Sequence, residues 1–418
     1  MKQDTIDFQN KFYKKSVCII SDCFVPTRNS AAGMIYNLSK SILDDGANIT
    51  CMHSGHDPKR NSSIFKSYDI RKINFITTNL FCSFRDKNIF FRFIFEVSLA
   101  LLLSFKVIRF YNHLKNSDLI IWYGPSAFLW LPTLLLKKIS NAPVYYILRD
   151  IFPDWLKSIG LIKSEMLFKI LYFLTYPQYF IPNKIGVESK ENIKFIKPKV
   201  KKSIILEVLY NWPSIGFHKT GVLKLGKNLN ENKKIKKKYT KKIKAIYSGN
   251  FGDAQDANSV LEFLKKINDN NFIEIFYYSK NQYFDLKTLN FLFVKKTVQE
   301  QKLPSLFKMS DCGIVSLNRN LSSNNIPGKF VSYTQFGLPI LCFSNKKSTI
   351  SKLIIKNKCG IVVDINDNLN LNVQKIKDFC KIIRDKKNNY STNSKLLHAK
   401  LFDIDVVKNQ LGKSFHDI

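Results

Sequence analysis

A chain of 418 residues with 45% hydrophobic content is too apolar for a disordered protein and long enough for two ordinary cores. Its formal net charge of +34 leaves four readings open: nucleic acid, an anionic membrane surface, a polyanionic small substrate, or lysine placed at tolerant solvated positions of a sequence rich in Lys, Asn, Ile, Phe and Tyr. The eight cysteines stand among apolar neighbours with no C-x-x-C spacing, which argues against a thiolate metal cluster and for small core hydrophobes in a reducing compartment.

The polar start "MKQDTIDFQNKFYKK" is followed by an apolar run too short for a signal peptide, so a cytoplasmic protein is expected. "SVCIIS" predicts a buried strand. After the loop "DCFVPTRNSAAG", the run from Met34 to Gly46 has helical spacing, and "ANITCMH" predicts a second strand. Strand, loop, helix and strand make a βαβ unit, whose parallel sheet carries ligands at the carboxyl ends of its strands. From Ile89 to Tyr111 an apolar stretch is interrupted by Arg92, Glu96, Lys106 and Arg109. At about 100° per residue these charges span about 140° opposite a broad apolar face, which predicts a helix in a membrane interface or in a core, not a membrane span.

"SDLIIWYG", a helix over 127–140, "APVYYILRD" ending on Arg149 and Asp150, and "NKIGVES" complete a first doubly wound α/β domain over 15–210. Turn-rich sequence around 207–218 and a lysine-rich stretch predict a hinge and exposed insertion over 211–242. A second α/β domain, 243–395, follows from "KIKAIYSGNFG", "DANSVLEFLKKIND", "NFIEIFYYS", "LNFLFVKK", "LPSLFKMSD", "CGIVSL" and "CGIVVD". A last helical segment, 396–418, completes the chain, and two such domains flanking a hinge make a cleft.

In "YSGNFGDAQD", Gly249 and Gly252 flank Asn250 and Phe251 directly after a strand. Glycines there admit a ligand to backbone N–H groups, and a following helix start favours a diphosphate. The turn is not G-x-G-x-x-G, which disfavours a nicotinamide site, and it also fits a plain tight turn. In "SSNNIPGKFVSYTQFGLPILCF", Pro327 and Gly328 turn the chain into a helix that begins with Lys329. The helix dipole disfavours a cation at that end, so Lys329 requires either full solvation or an anion shared with the Gly249 turn.

Two near-motifs carry little. "GVLKLGKN" ends on Asn228 where a P-loop needs a hydroxyl, and "HSGH" pairs His53 and His56 with no further ligand nearby. The lysine-rich stretch lacks interleaved aromatics, and no recognition module is present, so no specific nucleic-acid partner is expected.

The segments "NSAAGMIYNLSKSILDDGANIT", "LRDIFPDWLKSIGLI", "VLYNW", "YSGNFGDAQ" and "IPGKFVSYTQFGLPIL" together resemble the family 4 glycosyltransferases, which are retaining and of GT-B architecture. Within them the chain resembles the fucosamine-transferase-like branch of bacterial surface-polysaccharide enzymes. The resemblance runs from about Val17 to Asp364 and implies two Rossmann-like doubly wound domains facing a cleft, with the final helix packing back on the first domain. It also implies a nucleoside diphosphate sugar donor in the second domain and a polyprenyl-diphosphate-linked or other saccharide acceptor on the first. The setting would be lipopolysaccharide, O-antigen or capsule synthesis at the inner membrane surface, with no metal or other cofactor. By the resemblance Arg149, Asp150 and Lys329 are catalytic. Gly249, Asn250, Phe251, Gly252, Gln255, Asn324, Pro327 and Ser332 bind the donor, and the loop Ser30, Ala31, Ala32 and Gly33 faces the acceptor. Ser332 and Asn324 stand where many members carry glutamates, which weakens the grip on the donor ribose and keeps open a noncatalytic subunit that binds nucleotide or a partner enzyme.

Overall fold

The computed structural model describes residues 11–27, 29–55, 70, 72–80, 82–85, 89–158, 160–214, 242–249, 255–256, 260, 263–265, 273–279, 292–296, 302–318, 326–364, 366–385 and 389–416. The lysine-rich insertion, the near P-loop, His56 and most of the expected helix after Gly252 lie outside these residues. The chain divides into two compact units, Met1–Tyr210 with Ile404–Ile418, and Asn211–Asp403.

The first unit is built on a seven-stranded sheet in the order β3-β2-β1-β4-β5-β6-β7. Its strands are β1 Ser16–Ile20, β2 Asn48–Ser54, β3 Ile73–Thr78, β4 Leu119–Tyr123, β5 Val144–Ile147, β6 Lys184–Val187 and β7 Ile205–Val208, and every pairing is parallel. Central strands such as "LIIWY" are buried along their whole length, as a sheet covered on both faces demands. The strand order reverses direction between β1 and β4, and a ligand crevice is expected at such a point. The helix Ile404–Gly412 belongs to this unit, held by Lys408 Nζ at 2.7 Å from Asp45 and by Gln410 donating to the Val208 carbonyl at 2.9 Å.

The second unit carries six parallel strands in the order β10-β9-β8-β11-β12-β13. These are β8 Ile243–Ser248, β9 Ile273–Ser279, β10 Leu292–Lys296, β11 Cys312–Ser316, β12 Ile340–Phe343 and β13 Gly360–Val363. The helices Leu369–Arg384 and Tyr390–Leu401 pack in this unit, and the return to the first begins at Ile404.

Two elements differ from expectation. The segment Ser30 to Gly33 is not a loop but the first turn of helix α1, Ser30–Asp44, because the Asn29 side chain accepts from the Ala32 N–H at 2.8 Å and caps the helix four residues earlier than the apolar spacing suggests. Helix α2, Ile89–Arg109, is turned the other way round. Phe95, Leu99, Leu103 and Val107 enter the core on the same side as Glu96, while Phe90, Phe93, Leu101, Phe105 and Ile108 are exposed. The charged arc therefore overlaps the inward face. Glu96 tolerates burial there because Arg92 Nε donates to it at 3.0 Å and Ser126 Oγ at 3.2 Å. Among the described residues no helix is long and apolar enough to cross a membrane.

Candidate functional site

In the second unit β8 ends at Ser248, and Gly249 follows with φ +115°, a conformation that strains any other L residue. The helix Gly328–Gln335 starts after Pro327, which has no side chain able to cap it. These two features meet at Lys329. Its Nζ lies 3.6 Å from the Tyr247 ring centroid, and a Cβ placed on Gly249 would stand 3.9 Å from the same Nζ. That nitrogen is buried and, among the described residues, has no hydrogen-bond partner. Burial lowers its pKa from the ordinary 10.5 to about 7. The solvated lysine is thereby excluded, and the ring face offsets only part of the cost of burying an ammonium.

Tyr333, one turn further along the same helix, holds this arrangement. Its hydroxyl accepts from the Ser248 N–H at 2.9 Å and donates to the Ile246 carbonyl at 3.2 Å, fixing the end of β8 just before Gly249. Gly313 of β11 makes room for that ring, since a Cβ there would meet Tyr333 Cδ2 at 2.4 Å. Gly313→Ala is expected to destabilise the protein by about 1–3 kcal/mol and to loosen the Gly249 turn. The check is a lower urea midpoint at unchanged m value together with weaker nucleotide binding.

Within the second unit, Asn211 Nδ2 donates to the Ile326 carbonyl at 3.2 Å, just before Pro327. Of the expected donor residues, the structure thus brings together Gly249 and Lys329, with Pro327 at the helix start. Ser332 is buried one turn on, its hydroxyl donating to the Gly328 carbonyl at 3.2 Å. Gln255 is half-buried, while Asn250, Phe251, Gly252 and Asn324 lie outside the described residues.

In the first unit a charged cluster gathers at the carboxyl ends of the strands. Arg149, directly beyond β5, is buried. It donates to the Leu209 carbonyl at 2.8 Å and lies 3.7 Å from Glu188, so it braces β5 to the chain beyond β6 and β7. Asp22, beyond β1, is buried and paired with Arg85 at 2.8 Å. Burial pushes the Asp150 carboxyl above its usual range, with Arg92 pulling it down, Asp22 pushing it up and Arg149 pulling it down. Burial likewise raises Glu96 against the pull of Arg92. A half-buried carboxylate at a strand end can accept a hydrogen bond from a hydroxyl brought beside it, which keeps Asp150 a candidate for the acceptor side. Ser30 to Gly33 begin α1 at this same end of the sheet.

Sequence reasoning missed Asp22, Arg85, Glu188, Tyr247 and Tyr333. Asp22 and Glu188 follow the ends of β1 and β6 almost directly, and the strand-end rule that singled out Arg149 and Asp150 could have found them. Among the described residues no three His, Cys, Asp or Glu side chains gather as a metal site, and Cys18, Cys23, Cys51, Cys312, Cys342, Cys359 and Cys380 are buried, unpaired thiols.

No protein-family model and no curated protein matches the chain. Solved structures do. Sucrose-phosphate synthase from Thermosynechococcus elongatus aligns at 10% identity and TM-score 0.64 over 96% of this chain and 98% of that one. The E. coli trehalose-6-phosphate structure bound with UDP-2-fluoro glucose aligns at 10% identity and TM-score 0.62 over 97% and 99%. TarM aligns at 11% identity and TM-score 0.64 over 97% and 100%. The fold is GT-B. At such identities the likeness establishes the GT-B fold over nearly the whole chain, and the reaction has to be argued from the site.

Proposed function

We propose that this GT-B chain is a nucleotide-sugar-dependent glycosyltransferase. The observation that carries the reading is the buried Lys329 ammonium, without a hydrogen-bond partner among the described residues, beside Gly249 at the start of the helix Gly328–Gln335. Departure of a nucleoside diphosphate places negative charge on its β-phosphate. A preorganised cation and backbone N–H groups in a water-poor site stabilise that charge without rearranging. In this reading Lys329 and the backbone N–H groups of Gly328 and Lys329 at the helix start hold the diphosphate, and Gly249 lets it approach. Asn250, Phe251, Gly252, Gln255 and Asn324 complete the donor site, with no metal required. Similar structures hold UDP-2-fluoro glucose, UDP-L-rhamnose, and UDP beside a saccharide, which supports a uridine donor.

The acceptor belongs to the first unit, where Asp150 accepts a hydrogen bond from the attacking hydroxyl and Arg149 keeps the strand ends in place, and in a retaining transfer the departing β-phosphate oxygen takes the hydroxyl proton. The retaining outcome and the membership of the fucosamine-transferase-like branch rest on the sequence resemblance alone. So does the lipid-linked acceptor of surface-polysaccharide assembly. The outward apolar face of α2 and the +34 net charge support a peripheral position on an anionic inner membrane, which flotation with anionic vesicles tests.

The central test is release of nucleoside diphosphate from a panel of nucleotide sugars in the presence of membrane lipid extract, for the parent protein and Lys329→Ala. Loss of a single stabilising group of this kind costs about 10²–10³ in kcat. Turnover at parent rates in the variant contradicts the reading. The hydroxyl of Ser332, turned to the Gly328 carbonyl, favours the second reading of a noncatalytic nucleotide-binding subunit. Diphosphate binding with no release from any sugar donor supports that one.

A further inference from the structure

The first unit contains a cavity of about 540 Å³, within the size range of about 300–1,000 Å³ typical of small-molecule sites. It lies beyond the carboxyl ends of β4 and β5. Its walls are almost wholly apolar, among them Phe93 of α2, Phe128, Phe152, Trp155 and, from the helix Glu165–Thr175, Leu167 and Leu171. Three polar groups break this lining: Arg92, Glu96 and Asp150. The cavity is thus a greasy sleeve with its charges at the residue already assigned to the reacting hydroxyl.

Its surroundings are equally one-sided. Met166 is 74% exposed, Phe173 78% and Phe105 60%, so the two helices that line the cavity also present bare apolar faces. A soluble surface rarely leaves so much large apolar side chain uncovered in one region. The same segments hold four Lys and Arg in 89–115 and three in 157–180, against one Glu in each. Apolar side chains rimmed by cations fit an anionic bilayer, and an apolar hole opening among them fits a chain drawn out of that bilayer.

We propose that this cavity holds the apolar chain of a lipid phosphate acceptor, with Arg92 facing the polar end of the chain and the acceptor's reacting portion directed toward Asp150. The inference rests on the lipid-linked acceptor proposed above and adds where the lipid is held. It gives the half-exposed Arg92 and the buried Glu96 of α2 a common place on the cavity wall beside Phe90 and Phe93.

Trp155 in the wall supplies the readout, as one of four tryptophans in the chain. Titration with 12-bromododecyl phosphate below its micelle concentration is expected to quench tryptophan emission, with most of the quenching lost in Trp155→Phe. Leu167→Asp, at an exposed position on the rim, is expected to raise the half-quenching concentration at least tenfold without altering the thermal shift given by UDP. Inorganic phosphate is expected to give no quenching. Absence of quenching in the parent, or equal quenching in Trp155→Phe, overturns the chain site while leaving the donor reading intact. Failure of UDP to shift the melting temperature while Trp155 is still quenched overturns the donor reading and leaves the lipid site standing.

Discussion

UDP binding is expected to weaken as pH rises above about 7, and Lys329→Met is expected to bind weakly at every pH with no such slope. The free Lys329 side chain titrates near 7 because burial disfavours its charge, and a diphosphate beside it restores the proton. Below pH 7 the ammonium already exists and binding takes up no proton. Above it the lysine is neutral in the free protein, so binding must take up a proton and affinity falls about tenfold per pH unit until the raised pKa of the complex is reached. Calorimetry in buffers of different ionisation enthalpy measures both the slope and the proton uptake. Stability moves in the opposite sense to function. The unfolded lysine keeps its proton up to 10.5, so burial of this group destabilises the folded protein most at and below pH 7, and progressively less as pH climbs to 10.5. Lys329→Met is therefore expected to melt higher than the parent at pH 6.5 and to lose that advantage by pH 10.

Arg149→Met is expected to lower the melting temperature by on the order of 10 °C. Breaking a buried ion pair from one side costs about 3–5 kcal/mol, and a unit of this size shifts by about 2–4 °C per kcal/mol. The loss comes from Glu188, left buried without this cation, and from the carbonyls of Leu209 and Tyr210, to which the guanidinium donates. The double variant Arg149→Met, Glu188→Met is expected to recover at least half of the loss, because removing both charges removes the stranded one. An Arg149→Met protein that melts like the parent yet turns over a hundredfold more slowly would make Arg149 a catalytic residue and not a brace.

How much of this could be read from the chain depends on where each residue finds its partner. β4, β5 and β12 are continuous apolar runs buried along their whole length, and the apolar cores of β1 and β11 are nearly so, so they announce themselves. β3 and β7 close the two edges of the first sheet, where residues such as Phe75 and Ile205 stay exposed and the apolar run is broken. The helix Glu165–Thr175 was illegible for another reason. "EMLFKILYFLT" is apolar on nearly all sides, so it offers no polar face from which to read a helical period. The inversion of α2 was hidden because Glu96 is satisfied by Ser126, 30 residues away, and periodicity alone cannot say which face of a helix turns inward.

The candidate site divides in the same way. Lys329 stood out because a cation at a helix start contradicts the local dipole, and that conflict is written within four residues. Tyr247, whose ring lies under the ammonium, and Tyr333, whose hydroxyl fixes Ser248, are ordinary core aromatics in the sequence. Only the fold sets them beside Gly249. Arg149 was conspicuous at a strand end, but its acceptors lie some 60 residues further on, and they hold it as a buried brace.

The most direct test of the central claim is the ionisation of Lys329 itself, followed through its ε-carbon shift in lysine-labelled protein with and without UDP, and assigned by the Lys329→Met variant. The account predicts titration near pH 7 in the free protein and a midpoint more than one unit higher with UDP bound. A free-protein midpoint near 10.5, or one that UDP leaves unmoved, would contradict it.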